Sequence, residues 1–353
     1  MNWLARGAAA AGLLLGLAMA APAVAEDYRF RMAGGHPPTV FYTIRMSRYF
    51  VPALEKRMEA LGHRVAVETS WGGSLLKASE TLEGVRDGVA DIGGFCVCLE
   101  PETLYLNNYP LWLPFDIPDA VGAGRLGRAT HDANAALTEA YGRHGQVLLS
   151  LYPTQNFALW TTFAWTSLDD LRGRKIAGAG PAALWLGRIG AEPVTATSPN
   201  FREALAGGTW DGMVMFPFDG IGLRLHEAAK RFTVVDFGAK SIMAVTVNRA
   251  VFEALPGVVR SAMVEAGREV ESLSGAWQEA ALVENMKLLA GALEVTRIGT
   301  DTKRAWAAAL ADYPAEMARE AEARGYPARQ VMRFAVDHAE KLGHTWPVRY
   351  RFD

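Results

Sequence analysis

The residues best suited to chemistry in this chain follow its strand-like runs and do not form a catalytic motif. Such positions carry histidine, aromatic, thiol and amide side chains, namely His36, Phe95, Cys96, Asn156, Phe216 and Phe218. A few convergent polar groups among aromatic rings are typical of a site that binds a small molecule. We therefore predict a binding site at the ends of these strands.

Two motifs indicate an enzyme instead, and both are incomplete. Gly178-x-Gly180-x-x-Ala183 is a variant of the dinucleotide fingerprint, but the next strand ends in Thr195-Ala196-Thr197, without the acidic residue that would hold a ribose. His226-Glu227-Ala228-Ala229-Lys230 has lysine where a zinc metalloprotease helix needs its second histidine. A secreted enzyme on the same scaffold is the alternative class, and it differs from a binding protein in that it would convert its solute.

Cys96 and Cys98 are the only cysteines of the chain. Residues two apart on one strand would close a very small, strained ring, so we expect free thiols. Two cysteines without a matching His or Cys pair do not complete a tetrahedron, so we predict no metal site. We also predict no cofactor.

The overall composition excludes some partners and allows two domains. A formal net charge of −2 leaves no basic patch for a phosphate backbone, so we predict no nucleic acid partner. Half of the 353 residues are apolar, which is enough for two cores of ordinary domain size.

Residues 1–25 have the pattern of a secretory signal. Arg6 precedes an apolar stretch from Ala8 to Ala18, and Ala23-Val24-Ala25 is a small-residue cleavage site before Glu26. A membrane anchor would need about 20 apolar residues, which is longer than this run. We therefore predict a periplasmic protein that is not itself embedded in the membrane.

Strands and helices alternate along the chain, which favours parallel βαβ units. The predicted strands of the first half are residues 28–33, 65–69 and 91–95, separated by helices at 40–61 and 75–86. A compact βαβα unit follows, with strands at 174–177 and 192–195 and helices at 181–189 and 199–205. Ligands bind open α/β sheets at the carboxyl ends of their strands, so we place the site along that row of loops.

Two crossings and a long helix should join two α/β lobes. The chain breaks at 152–156 and should return near 237–241, before a strand at 242–248. Apolar residues recur at helical spacing from Val258 to Leu289, which predicts a helix of roughly 45 Å that braces both lobes, unless it is broken at Ser274-Gly275. Helices at 301–324 and 327–342 would close the second lobe. The predicted lobes are 26–152 with 238–274, and 153–237 with 275–353.

Several segments resemble, in order and spacing, the solute-binding proteins of tripartite ATP-independent periplasmic (TRAP) transporters of the dicarboxylate (DctP-like) type. They are Leu82 to Ile92, Tyr109 to Trp112, Leu171 to Ile176, Gly190 to Val194, Arg202 to Leu205, Gly208 to Gly212 and Asn248 to Pro256. The resemblance implies an α/β, two-lobed periplasmic binding protein fold with the ligand cleft between the lobes. It also implies a small organic solute, mostly an organic acid in this family, and TRAP membrane permease subunits as partners.

The chain departs from this family at Ala177, where the family typically has an arginine that grips the carboxylate of the ligand. Two replacements are open. Lys240 and His36 could meet an acidic group, which we favour because the family binds mostly organic acids. Alternatively, Trp160, Phe216 and Phe218 could form an aromatic box for a neutral or cationic solute.

Overall fold

A computed structural model of the chain describes residues 26–196 and 200–352. The predicted signal segment, residues 1–25, lies outside the described residues. The described strands form one sheet of five and one of six, and helices pack on both. No helix in the described part is both long and apolar enough to cross a bilayer.

The first sheet has the strand order β2-β1-β3-β10-β4. Its strands are β1 (Asp27–Ala33), β2 (Arg64–Ser70), β3 (Ile92–Cys96), β4 (Gln146–Pro153) and β10 (Ser241–Asn248). β1 runs parallel to β2 and β3, whereas β10 is antiparallel to both of its neighbours, β3 and β4. Every residue of β10 is buried, as expected for a central strand rich in β-branched and apolar side chains.

The second sheet has the order β11-β9-β5-β8-β6-β7. Its strands are β5 (Ala158–Thr161), β6 (Lys175–Gly178), β7 (Glu192–Thr195), β8 (Gly212–Met215), β9 (Arg231–Val234) and β11 (Glu294–Arg297). β6 is parallel to β7 and β8, which confirms the predicted βαβα unit.

Thirteen α-helices of the described residues accompany the sheets. They are α1 (Phe41–Arg45), α2 (Val51–Ala60), α3 (Thr81–Arg86), α4 (Ala120–Ala133), α5 (Ala135–Arg143), α6 (Leu184–Gly187), α7 (Phe201–Ala206), α8 (Pro217–Gly222), α9 (Arg249–Ala254), α10 (Gly257–Ala292), α11 (Thr300–Ala309), α12 (Tyr313–Ala323) and α13 (Ala328–Lys341). A π-helical turn, Met46–Phe50, joins α1 to α2, so the predicted helix at 40–61 is one nearly continuous rod.

The two sheets repeat one local device. α3 and α7 are each followed by a glycine in the left-handed conformation, Gly88 and Gly208. An aspartate then follows, and its Oδ2 accepts the backbone N–H of a neighbouring strand: Asp91 from Arg31 at 2.7 Å, and Asp211 from Lys175 at 2.8 Å. Each carboxylate thereby ties the end of a helix to a parallel strand.

Two crossing segments join the sheets, because β4 lies in the first and β5 in the second, while β9 lies in the second and β10 in the first. These segments are hydrogen-bonded to each other. The N–H of Thr154 donates to the carbonyl of Lys240 at 2.9 Å, and that of Phe157 to Gly238 at 3.1 Å. The two crossings are therefore paired with each other, as a hinge between two lobes would require.

α10 is a third connection between the two halves. It is one continuous helix of 36 residues, so the alternative of a break at Ser274-Gly275 is wrong. At about 1.5 Å per residue it is roughly 54 Å long, and it packs against β4 and α4 on one side of the hinge and α8 and β11 on the other.

The C-terminal helices differ from the prediction. The predicted helix at 301–324 is divided into α11 and α12, with Pro314 in the first turn of α12. Trp306 of α11 is fully buried against Phe237, whereas α13 packs on α4, beside the first sheet. The lobe boundaries derived from the sequence stay a prediction.

Candidate functional site

A narrow cavity lies where the carboxyl ends of strands from both sheets meet. The side of the first sheet contributes His36, Cys96, Cys98, Leu99, Ile242 and Met243. The side of the second sheet contributes Phe157, Ala179, Ala196, Phe201, Met215, Phe216, Asp219 and Leu223. Its free volume is about 40 Å³, far below the roughly 300–1,000 Å³ of sites that enclose drug-sized molecules. The two halves must therefore move apart before an organic solute can enter.

Among the described residues that line the cavity, His36 is one of two with an ionisable side chain, and the others are mostly apolar. It follows β1, and its Nδ1 lies 3.0 Å from the hydroxyl of Tyr42 on α1. Burial lowers the pKa of His36 to about 4, because the cationic form loses its hydration. The imidazole is therefore neutral at pH 7 and presents one N–H donor and one acceptor.

Asp219, on α8, is the other ionisable residue. Only 5% of it is exposed, and its Oδ1 accepts the backbone N–H of Phe41 at 2.8 Å. Burial raises the pKa of Asp219 to about 7, and the hydrogen bond from Phe41 opposes this shift in part. The carboxyl is thus poised to change its protonation state near neutral pH.

Direct contacts across the cleft show that the two halves are closed on each other. Besides the bond between Phe41 and Asp219, the hydroxyl of Thr39 donates to the carbonyl of Gly222 at 3.0 Å. The rings of Phe41 and Phe216 meet edge to face, with their centroids 5.6 Å apart. These contacts join α1 and the segment before it to α8.

Gly180 is a further contact across the cleft. Its φ of +52° lies in the left-handed region, and a Cβ built on it would be 2.3 Å from the carbonyl oxygen of Cys98. Only glycine allows so close an approach of the two backbones.

The expectation of free thiols is wrong, because Cys96 and Cys98 form a disulfide bond. β3 ends at Cys96 and the chain turns at once into a short helical turn, Val97–Leu99, which brings the two Cα atoms to 5.1 Å. That separation lies within the usual range for a disulfide. Both cysteines line the cavity as one rigid wall and neither is a free nucleophile.

Three of the residues predicted from the sequence, His36, Cys96 and Phe216, meet at this cavity. Phe95 is buried in the core, and Phe218, which touches Phe41, donates its N–H to Gln155 Oε1 at 2.9 Å. Asn156 accepts the N–H of Gly238 at 2.9 Å, which ties the two crossings together. None of these last three is among the residues that line the cavity.

Trp160 and Ala177 lie inside the second sheet. The indole N–H of Trp160 donates to the carbonyl of Met215 at 2.9 Å, and its ring packs edge to face on Phe232. Ala177 is fully buried on β6, between β7 and β8. A buried methyl group therefore stands where the resemblance predicts an arginine.

Lys240 does not lie at the cleft, where the sequence analysis places it. Its side chain is fully buried, and its Nζ donates to the carbonyl of Leu113 at 2.7 Å and lies 3.7 Å from Asp116 Oδ2. Burial lowers the pKa of Lys240 to about 8, although Asp116 opposes the shift. Its ammonium group is engaged within the core and does not line the cavity.

Sequence reasoning missed Asp219 and most of the apolar wall. Asp219 had a weak signal, because it is the one acidic residue in the turn that directly follows β8, three positions after Phe216. The wall residues Met215, Ile242 and Met243 had none, because apolar residues within strands are ordinarily core. No group of three or more acidic, histidine or cysteine side chains that could hold a metal ion occurs among residues 26–196 and 200–352.

Comparison with known proteins places this geometry in context. The family model of bacterial extracellular solute-binding proteins, family 7, matches residues 49–321. A TRAP solute-binding protein from Rhodoferax ferrireducens, solved with co-purified benzoate, is 19% identical, with a TM-score of 0.79 over 90% of this chain and 99% of that one.

Two Bordetella structures are similar in the same way. A TRAP periplasmic solute-binding protein from Bordetella bronchiseptica, solved with (R)- and (S)-mandelate, is 20% identical, with a TM-score of 0.77 over 89% of this chain and 99% of that one. An extracytoplasmic solute receptor from Bordetella pertussis that binds pyroglutamic acid is 21% identical, with a TM-score of 0.73 over 86% and 99%. These likenesses establish a shared two-lobed fold.

Proposed function

The chain belongs to family 7 of the bacterial extracellular solute-binding proteins, and from this premise we propose that it captures a small organic acid in the periplasm and delivers it to the membrane subunits of a TRAP transporter. The observation that carries the proposal is the cavity between the two sheets, lined by His36 after β1, by Asp219 of α8 and by the disulfide loop. An apolar enclosure with two polar groups suits a small solute with an apolar body.

Capture requires that the ligand favour the closed state. The hinge of two hydrogen-bonded crossings allows the halves to separate, and the contacts of Phe41 and Thr39 with α8 form only when they close. A solute that fills the cavity adds contacts to both halves, so it shifts the population toward the closed form. Closure is then the signal that a permease can recognise.

We propose further that the protein is not an enzyme. The two thiols at the cavity are joined to each other, and the carboxyl of Asp219 is bound to Phe41, so no activated nucleophile faces the solute from the described lining residues. The solutes named for the similar structures are acids, and we extend that class to this chain.

Mass spectrometry of the ligand carried through purification tests the proposal. We expect one organic acid per protein molecule, released unchanged on denaturation. Conversion of an added solute into a product during incubation with the pure protein would show an enzyme instead. A co-purified ligand without an acidic group would refute the organic acid assignment.

A further inference from the structure

No described residue that lines the cavity carries the fixed positive charge that usually meets a carboxylate. Of the described residues that line it, His36 and Asp219 have the titratable side chains, and the imidazole of His36 is neutral. The family's arginine is replaced by Ala177, and the ammonium of Lys240 is held by Leu113 and Asp116. Another group must compensate the charge of a bound acid.

Moving an anion from water into an apolar cavity without a compensating charge costs several kcal/mol. A second carboxyl group at the same place makes the cost higher if both are ionised, so two carboxyl groups that share a site keep one proton between them. Asp219 supplies such a second carboxyl. It lines the cavity, it is almost fully buried, and its Oδ1 is already occupied by the N–H of Phe41.

Building on the proposed function, we propose that this cleft captures monocarboxylic acids through a shared proton: protonated Asp219 donates a hydrogen bond from Oδ2 to the carboxylate of the solute. Asp219 Oδ1 keeps the Phe41 N–H. When Asp219 is ionised in the empty protein, the deprotonated acid binds together with one proton from solvent, and the complex carries a single negative charge. A hydrogen bond in which one partner is charged is among the strong ones, so the proton partly takes the place of the missing arginine.

The surroundings of Asp219 leave it as the group that holds this proton. Tyr42 of α1 and His36 face the same region, and burial raises the pKa of Tyr42 and lowers that of His36, so both stay neutral between pH 5.5 and 8.5. The charged side chains nearby on the chain after α8, Arg224 and Glu227, pair with each other at 2.6 Å.

On α10, which packs on α8, Glu284 and Lys287 likewise pair with each other at the surface, 2.7 Å apart. None of these four charged groups appears among the residues that line the cavity. The apolar walls then accept the rest of the solute. A second carboxylate would find no partner there, which disfavours dicarboxylates.

The pH dependence of affinity follows from the sign of the shift. The pKa of Asp219 is raised to about 7, so the protonated form that binds the anion predominates below pH 7 and declines above it. For a pKa near 7 the dissociation constant should rise about tenfold between pH 6 and pH 8. A cationic solute would show the opposite trend.

Calorimetric titration of the mature protein with benzoate, mandelate and pyroglutamate at pH 5.5 to 8.5 tests this. We expect at least one acid to bind with an affinity that falls about tenfold from pH 6 to pH 8. Asp219→Asn keeps an acceptor for Phe41 and carries permanent N–H donors, so it should bind the same acid with no such loss. His36→Gln is the matched control, and its affinity should still fall between pH 6 and pH 8.

Binding that is independent of pH in the parent protein would overturn the shared proton while leaving the capture of acids intact. A pH dependence that persists in Asp219→Asn and disappears in His36→Gln would assign the proton to His36 and also overturn it. If none of the three acids binds at pH 5.5, the inference fails. The identity of the co-purified ligand decides separately whether the proposed function fails with it. Thermal unfolding midpoints within a few degrees of the parent verify that both variants are folded.

Discussion

Single residues in this protein carry charge in places where water is excluded, and their pKa values show the cost. Only 5% of the surface of Asp219 is exposed, and only 1% of that of Lys240. Among the described residues, Asp219 accepts a backbone N–H and pairs with no cation, whereas Lys240 has a carboxylate and a carbonyl as partners. Substitutions at the two sites should therefore have opposite effects on stability.

Asp219→Asn should stabilise the protein at neutral and higher pH. The pKa of Asp219 in the folded protein is raised from 3.8 to about 7, so the stability that its neutral form contributes is complete below pH 3.8 and is lost as the pH rises through 7. Relative to the variant, the free energy of unfolding of the parent should fall by about 1.4 kcal/mol per pH unit in that window. Urea unfolding from pH 4.5 to 8 measures it. A difference that does not change with pH would contradict the raised pKa.

Lys240→Met should destabilise the protein by about 3–5 kcal/mol, because Asp116 would be left buried without its cation. The double variant Lys240→Met with Asp116→Asn should recover most of that loss, since it leaves no buried charge. Denaturant unfolding measures both. A large loss of acid affinity in a stably folded Lys240→Met protein would instead support the sequence-derived role of Lys240 at the ligand.

Short elements at the strand ends, rather than the strands themselves, form the edges of the cleft. α1 and α8 meet through Phe41 and Asp219, and the turn at Gly180 meets the disulfide loop at Cys98. Each contact joins elements from the two sides of the paired crossings, so each would be lost if those two sides moved apart. Their geometry decides whether the cleft can close.

Gly180→Ala should prevent full closure, because its Cβ would lie 2.3 Å from the carbonyl oxygen of Cys98. We expect the affinity for a bound acid to fall tenfold or more, about 1.4 kcal/mol or more. Gly208→Ala is the matched control, because Gly208 has a φ of +71° but nothing within 4 Å of an added Cβ. It suffers the same backbone strain without the steric contact. Equal affinities for the two variants, measured by titration calorimetry, would refute the role of Gly180 in closure.

At the scale of the whole molecule, two sheets are joined by two paired crossings and by α10. α10 packs on elements of both halves, so it restrains the direction in which they separate. Such an arrangement favours a hinge motion over a shear motion.

Ligand binding should compact the protein, because the narrow cavity requires an open form for entry and a closed form for capture. Small-angle scattering should give a smaller radius of gyration with saturating ligand than without. The measurement requires an apo sample freed of ligand by denaturation and refolding. An apo form that is demonstrably open and keeps its radius at saturation would contradict the hinge.

The mature chain should begin at Glu26, after Ala23-Val24-Ala25. Intact mass of the protein recovered from the periplasm measures this. Replacing Ala23 and Ala25 by larger residues should block cleavage and retain residues 1–25, since signal peptidase sites require small side chains there. Recovery of the unaltered full-length chain in the membrane fraction would contradict the predicted localisation.

The sequence by itself determined the elements whose signals are local. The strand-like run at 242–248 marked β10, and helical spacing from Val258 to Leu289 marked α10. The ordered family segments extended those elements to a two-lobed fold. Local signals suffice here because each depends on the spacing of neighbouring residues.

Only the tertiary structure decided which side chains meet. Cys98 turns back toward Cys96 because β3 ends between them, and Lys240 is buried because Asp116 and Leu113 reach it from more than 120 residues away. Asp219 became one of the polar groups of the cleft because α8 packs against Phe41. These contacts depend on the packing of distant segments and on the desolvation that packing imposes, neither of which is encoded in the spacing of adjacent residues.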